Sequence, residues 1–440
     1  MTNSIRPAHS GRSSRTVEGE EGDEEVSSSG SALGFLTLDD FDVRGKRVLL
    51  RVDINSPVSE STLTVEDSSK IASAVPTVRE LLDRGSKLVI LAHQGRPGDY
   101  DFITLNEHAD WLSRFSGKKI RYVNDIFGPH AEKAVDSLGE GECVMLQNVR
   151  NYSGEQLKLT PEEHAQSPMV KALAPKFDMF VNDAFASAHR SHASLVGFTA
   201  ALPSAAGRLM EREVRALSGI LQNPKRPSTF VFGGTKFVDA LPVMRRLAES
   251  NHVDNVLITG LAGYACQWIL GRRIGAGTER LASREVTDKV REDTRTMMEQ
   301  HGDKISLPLD GAVEEDGRRR EFAFDDLPED ATILDIGTET IEALRSVVKK
   351  SKTVFLSGPP GVYEREDFSK GTRELYEAIA SSGAYSVIGG GHSGAAAHLL
   401  GMSERFSYIS TGGGAIERMI LGKSMPVIEA LRASVHRDQL

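Results

Sequence analysis

Cysteine is nearly absent: Cys143 and Cys266 are the two thiols in 440 residues, and both fall in apolar strand or helix patterns. Two isolated cysteines make neither a disulfide framework nor a zinc site, and they fit a reducing cytoplasm. No apolar run approaches the roughly 20 residues that a membrane-spanning helix needs. Positive charge is not in excess either. The 53 Lys and Arg against 62 Asp and Glu leave a net charge of −9, without the basic footprint of a nucleic-acid binder. Also missing are the phosphate-loop pattern G-x-x-x-x-G-K-[ST] and the dinucleotide pattern G-x-G-x-x-G, so glycine spacing alone names no enzyme.

What is present is globular in character, with 39% hydrophobic and 26% charged residues. The length exceeds one ordinary core and predicts two or three domains. Residues 1–33 stand apart. Arg6, Arg12 and Arg15 precede the acidic run Glu18–Glu25, and Ser27–Ser31 follows with almost no aliphatics. Such a segment buries too little apolar surface to order itself and is expected to be a disordered tail. It has no apolar core of a secretory signal, and its acids are foreign to a transit peptide.

From Lys46 onward apolar strand patterns alternate with helical ones. Val48–Val52, Leu88–Leu91, Ile120–Val123, Val144–Val149 and Met179–Val181 read as strands, and Ile71, Val75, Val78 and Leu81 mark a helix. This alternation implies a parallel sheet, whose ligands bind outside the carboxyl ends of the strands. Asp53 and Asn55 follow one strand, His93 and Arg96 another, Arg150 a third, and His189 and Arg190 a fourth. A single arginine after a strand is usually a solvated charge. Four strand ends that deliver cations and carboxamides to one rim form a basic pocket for a small phosphorylated or carboxylated metabolite, because guanidinium forks hold such oxyanions bidentately.

Residues 205–225 mark the crossing into a second βα series. Thr229–Phe232 ends in Gly233-Gly234-Thr235-Lys236, which opens a helix, and Val256–Thr259 ends at Gly260. Ile333–Ile336 reads as a further strand of this series, and residues 308–332 read as a charged hairpin. Val354–Leu356 runs into Ser357-Gly358-Pro359-Pro360-Gly361. The stretch Tyr385–Ile420 then repeats strand, glycine triplet and helix twice, with triplets at Gly389–Gly391 and Gly412–Gly414. Free backbone N–H groups at such helix starts, together with the helix dipole, suit phosphate. Glycine lets the backbone come close to it. Two junctions in register point to a nucleotide site.

Taken together, the segments RVLLRVDINSPV, LAHQGRPGDYDF, LQNVRNYSGE, FVNDAFASAHRSHASLVGF, VFGGTK, SGPPGVYE, YSVIGGGHSGAAA, STGGGA and LGKSMPVIEAL resemble phosphoglycerate kinase, in particular its archaeal branch. The resemblance covers about residues 36–432. It implies an α/β fold of two doubly wound, Rossmann-like parallel-sheet domains joined by a hinge. The domains would be 34–206, with 424–440 packing back on it, and 207–423. The implied reaction is phosphoryl transfer between 1,3-bisphosphoglycerate and ADP, giving 3-phosphoglycerate and ATP, with Mg²⁺. The implied setting is cytoplasmic glycolysis, with small-molecule partners only. Carried over by position, the phosphoglycerate site would be Asp53, Asn55, Lys70, His93, Gly95, Arg96, Arg150 and Arg190. The nucleotide side would be Lys236, Gly260, Glu364, Gly390, Gly391, His392, Ser393 and Gly412, Gly413 and Gly414. Lys70, Lys236 and Arg190 would act on the transferred phosphoryl group.

Several positions depart from the family pattern. Lys70 stands where an arginine is usual, so it keeps the charge but loses the planar fork. His392 replaces an aspartate that in many members holds the nucleotide-bound Mg²⁺, and imidazole is a poor partner for that hard cation. Ala240 takes the place of a second lysine, Ser357 that of an asparagine, and Gln147 and Asn151 flank Arg150 in place of Glu and Phe. The resemblance assigns no metal ligands to this chain. Lys70 and His392 keep open a second reading, a catalytically weak relative that binds nucleotide and regulates.

Overall fold

The computed structural model describes residues 33–438. Of the tail read from composition, all but Leu33 lies outside the described residues. Leu33 itself is buried, and its carbonyl accepts hydrogen bonds from the Arg432 guanidinium at 3.2 and 3.3 Å, so the packed chain begins at least one residue earlier than composition placed it.

The first sheet contains β1 (Arg47–Val52), β2 (Lys87–Leu91), β3 (Ile120–Val123), β4 (Cys143–Leu146), β5 (Met179–Asp183) and β6 (Ser204–Ala206). They run parallel in the order β3-β4-β2-β1-β5-β6. Successive side chains of a strand point to opposite faces, and both faces are covered. Val48, Leu50 and Val52 pack in one cluster with Ile71, Val78 and Leu81 of the helix Ser69–Asp83, while Leu49 joins Val89, Leu91 and Phe198 in another. That two-sided burial is why the strands read as unbroken apolar runs. From β1 the chain adds β2, goes out to the edge strand β3, returns to place β4 between β2 and β3, and then crosses to the other side of β1 with β5. The carboxyl ends of β1, β2 and β5 therefore flank a crevice at the switch point.

The second sheet contains β7 (Ser228–Phe232), β8 (Asn255–Ile258), β9 (Ile305–Ser306), β13 (Thr353–Ser357), β14 (Tyr385–Gly389) and β15 (Tyr408–Ile409), parallel in the order β15-β14-β13-β7-β8-β9. The remaining strands, β10 (Asp310–Glu315), β11 (Arg318–Ala323) and β12 (Ile333–Asp335), form a separate antiparallel sheet. The hairpin is thus present. The segment expected as a parallel strand at Ile333–Ile336 pairs with the hairpin's open edge instead, and Arg319 pins it with an ion pair to buried Asp335 at 2.8 Å. The strand expected at Val144–Val149 also stops early. Asn148 turns the chain there, its side chain accepting from the Arg150 N–H at 3.1 Å, and Val149–Asn151 becomes one 3-10 turn.

The helix Arg208–Gln222 links the two sheets. At its start Asp183, at the end of β5, accepts from the Met210 N–H at 2.9 Å. Further along, buried Glu213 accepts from Ser410 Oγ at 2.6 Å and the Thr411 N–H at 2.7 Å, just beyond β15. The last helix, Pro426–Asp438, returns to the first sheet's side. The Val427 N–H donates to the Ala188 carbonyl at 3.2 Å, and Arg437 donates to the carbonyls of Thr199 and Leu202. No helix among the described residues is long and apolar enough to cross a membrane.

Candidate active site

At the end of β1 the buried Asp53 accepts from the Ser187 hydroxyl at 2.5 Å. Burial works against its ionisation, but the fixed positive charges of Lys70 and Arg51, together with the Ser187 donor, help hold the carboxyl below the usual range. Asn55 accepts from the Gly95 N–H at 2.8 Å, which fixes the loop after β2. Gln94 braces the same loop by accepting from Ser56 N–H at 2.8 Å and donating to Ser56 O at 2.9 Å. Gly95 is required there. Its φ is +62°, and a Cβ would come within 2.3 Å of the Asp101 carbonyl oxygen. Arg150 donates to the Gly95 carbonyl, and its Nε is buried with no protein partner among the described residues. Arg190 follows β5 half-buried, while Arg96 is exposed on the β2 loop.

The rim holds more positive than negative charge, and its groups register the excess. Burial and then Arg190 and Arg51 bring the Arg150 guanidinium down to about 10. His192 is brought down to about 3 by burial and the same arginines together with Arg150. An anionic ligand relieves both. Asp53, Lys70, His93, Arg150 and Arg190 are therefore brought within electrostatic reach of one another, and Asn55 and Gly95 shape the loop between them.

Sequence reading missed the groups beneath this rim. Arg51 lies inside β1 with no exposed surface, on the face shared with Leu49. Glu155 and Ser194 are equally buried. Burial pushes the Glu155 carboxyl up, while Arg51 and the two Ser194 donors pull against it. The signal for Arg51 was available as a guanidinium in the middle of an apolar strand, a position that demands a buried partner.

On the second sheet the glycines divide into two kinds. The turn after β7 is stitched to the turn after β13. The Gly233 N–H donates to the Ser357 carbonyl at 2.9 Å and the Gly234 N–H to the Pro359 carbonyl at 2.8 Å. A Cβ on Gly358, whose φ is +89°, would lie 2.3 Å from the Gly233 carbonyl oxygen, and one on Gly260 would lie 2.7 Å from the Gly234 nitrogen. These glycines let backbone pack on backbone. Gly358→Ala is expected to cost roughly 2–3 kcal/mol of strain and lower Tm by several degrees in a thermal melt. An unchanged Tm would show that the two turns move apart freely.

The other kind faces open space. A Cβ placed on Gly391 or Gly413 would meet nothing within 4 Å, and each lies at the first residue of its helix, Gly391–Leu399 and Gly413–Ile420. Gly390, with φ +89°, caps the first of these. Gly412 is taken differently, since its missing side chain makes room for the Phe185 ring, 2.4 Å from a Cβ there, and Gly414 sits by the His189 ring. The second triplet therefore abuts the loop carrying His189 and Arg190. Ser393 is buried and its hydroxyl accepts from the Gly358 N–H at 2.7 Å, while His392 and Glu364 are exposed. Lys236 is exposed at the N-cap of the helix Phe237–Ala248, one residue before the helix. Its charge reaches Glu417, which burial and Asp239 push upward and Lys236 pulls down.

A family model described as phosphoglycerate kinase matches residues 38–423. The chain belongs to the phosphoglycerate kinase family. The phosphoglycerate kinase of Methanopyrus kandleri is 45% identical over 395 residues, 90% of this chain and 97% of that protein. That of Archaeoglobus fulgidus is 43% identical over 399 residues, 91% of this chain and 97% of that protein. Among solved structures, the phosphoglycerate kinase from Pyrococcus horikoshii OT3 superposes with a TM-score of 0.85 at 36% identity, covering 91% of this chain and 100% of that one. The phosphoglycerate kinase from Coxiella burnetii gives 0.77 at 29% identity, over 92% of this chain and 99% of that one. As a phosphoglycerate kinase family member the chain is a phosphotransferase with a carboxyl group as acceptor.

Proposed function

We propose that the chain transfers a phosphoryl group reversibly between 1,3-bisphosphoglycerate and ADP, giving 3-phosphoglycerate and ATP. The observation that carries this reading is the surplus of cations at the ends of β1, β2, β4 and β5, opposite two helix starts with open glycines. In this reading residues 34–206, with the last helix, Pro426–Asp438, folded back, bind the phosphoglycerate, and 207–423 bind the nucleotide. Arg96, Arg150, Arg190 and His93 hold the substrate's oxyanions, with Asp53 and Asn55 orienting it. The open N–H groups at Gly390, Gly391, Gly413 and Gly414 receive the phosphates, Gly260 and Glu364 lie toward the nucleoside, and Lys236 meets the transferred group. Mg²⁺ arrives as part of the nucleotide substrate, held mostly by phosphate oxygens and water. Among the described residues no group of three or more His, Cys, Asp or Glu could cage a metal.

Little covalent chemistry is asked of the protein. Positioning and charge neutralisation supply the rate, and closure of the two halves keeps water from the acyl phosphate. In a coupled assay with 3-phosphoglycerate and MgATP we expect saturable turnover on the order of 10–1000 per second. Nucleotide binding without turnover would sink the reading and leave the regulatory relative. That relative is less favoured, because Lys70 retains charge and the rest of the substrate rim is whole.

A further inference from the structure

The two ring nitrogens of His93 have different surroundings, and chemistry settles one of them. Nδ1 lies 2.9 Å from Arg51 Nη2. A guanidinium has donors only, so Nδ1 must accept and the ring proton belongs on Nε2, which has no protein partner among the described residues. Arg51 is itself aimed by three acceptors: Nη2 donates to His93, Nη1 to the Val52 carbonyl and Nε to Ser194 Oγ at 2.8 Å. A hydroxyl that accepts from Arg51 has its own proton to give. Ser194 Oγ donates it to Glu155 Oε1 at 2.6 Å, and the Ser194 N–H donates to Glu155 Oε2 at 2.9 Å. All donors in the row run one way, and Glu155 ends it as an acceptor on both oxygens. The row is sealed from water: Arg51, Ser194 and Glu155 are 0% exposed and His93 3%.

The charges facing His93 are Arg51 on β1, Asp53 at its end, Arg150 after β4 and Arg190 after β5. Burial disfavours an imidazolium there first, and three guanidiniums against one carboxylate add to it. The opposite neutral tautomer would aim a ring N–H at a guanidinium N–H.

We propose that Glu155 and Ser194 are positioning residues for the transfer reaction, holding Arg51 so that His93 presents a neutral Nε2–H donor to the anionic substrate. The purpose of that donor rests on the function proposed above; the tautomer is a property of the free protein and is measured without substrate.

The test is a long-range ¹H–¹⁵N correlation on full-length protein labelled at histidine, with the His93 signals assigned by their loss in His93→Gln. Wild type should show a neutral Nε2–H ring between about pH 6 and pH 8. Ser194→Ala and Glu155→Gln should shift the ring toward mixed tautomers. Their KM for 3-phosphoglycerate should rise roughly tenfold, with kcat and nucleotide KM within about threefold of wild type. Ser194→Ala removes one hydroxyl and carries the test if Glu155→Gln does not fold. An imidazolium or Nδ1–H ring in wild type overturns the proposal, as does a wild-type ring pattern in folded variants. A changed ring with unchanged KM overturns the link to substrate binding. An Nε2–H ring in a protein that does not turn over 3-phosphoglycerate would refute the function instead, and leave the row standing.

Discussion

Lys236→Ala is expected to lower kcat about a hundredfold or more, with little change in nucleotide affinity. Lys236 sits at the N-cap of Phe237–Ala248, exposed, in the turn that the β13 turn braces through backbone hydrogen bonds. The backbone hydrogen bonds of Gly233 and Gly234 anchor the turn just before it, while its ammonium has no ion pair among the described residues. Its charge reaches the carboxyl of Glu417, and Glu417 belongs to the helix whose Gly414 abuts His189. Lys236 is thus placed on the second sheet's side of the seam between the two halves. A cation there neutralises charge on a group in transit more than it grips a resting nucleotide. The loss should fall on kcat, with nucleotide Kd by calorimetry nearly unchanged. Tm should hold, because the side chain packs against nothing that would collapse. Turnover within a factor of about three of wild type would make Lys236 an ordinary surface lysine.

The βα framework was legible because doubly covered parallel strands must be apolar on both faces, as in Val48–Val52. The rim was legible because Asp53, His93, Arg150 and Arg190 each follow such a run. Arg51 escaped for the same physical reason. Inside a run it counts as an interruption, and only the buried face it shares with Leu49 and its link through Ser194 to Glu155, supplied from far along the chain, reveal a buried charge row. The glycines were found but not sorted. A ligand cradle and a close backbone approach both require the missing Cβ, so Gly391, open to solvent, and Gly412, filled by Phe185, look alike in sequence. The strand expected at Ile333–Ile336 is present as Ile333–Asp335, but its partner was not legible, because three residues carry too short a pattern to distinguish a parallel partner from a hairpin edge.

Lys70 offers the sharpest separation between a working kinase and a weakened one. It is the second residue of the helix Ser69–Asp83, half-buried, with Ile71 and Val75 supplying the helix's packed side. A fully solvated lysine would leave no trace on the site, yet its charge is among those that hold Asp53 ionised. It therefore faces the rim. A lone ammonium neutralises charge there but cannot bridge two equatorial oxygens as a guanidinium fork does. Lys70→Arg should leave activity equal or higher, while Lys70→Ala should cost at least about a hundredfold in kcat. The cost belongs in turnover and not in KM, because the interaction is made mainly as the phosphoryl group crosses between the halves. Lys70→Ala also removes one of the charges that keep the Asp53 carboxyl low, so that carboxyl should titrate upward, and stability on its account should be lost at a higher pH as acid is added. Steady-state kinetics of both variants decide the matter. Wild-type turnover in Lys70→Ala would remove the residue from the mechanism and assign its work to Arg96, the exposed arginine of the same rim.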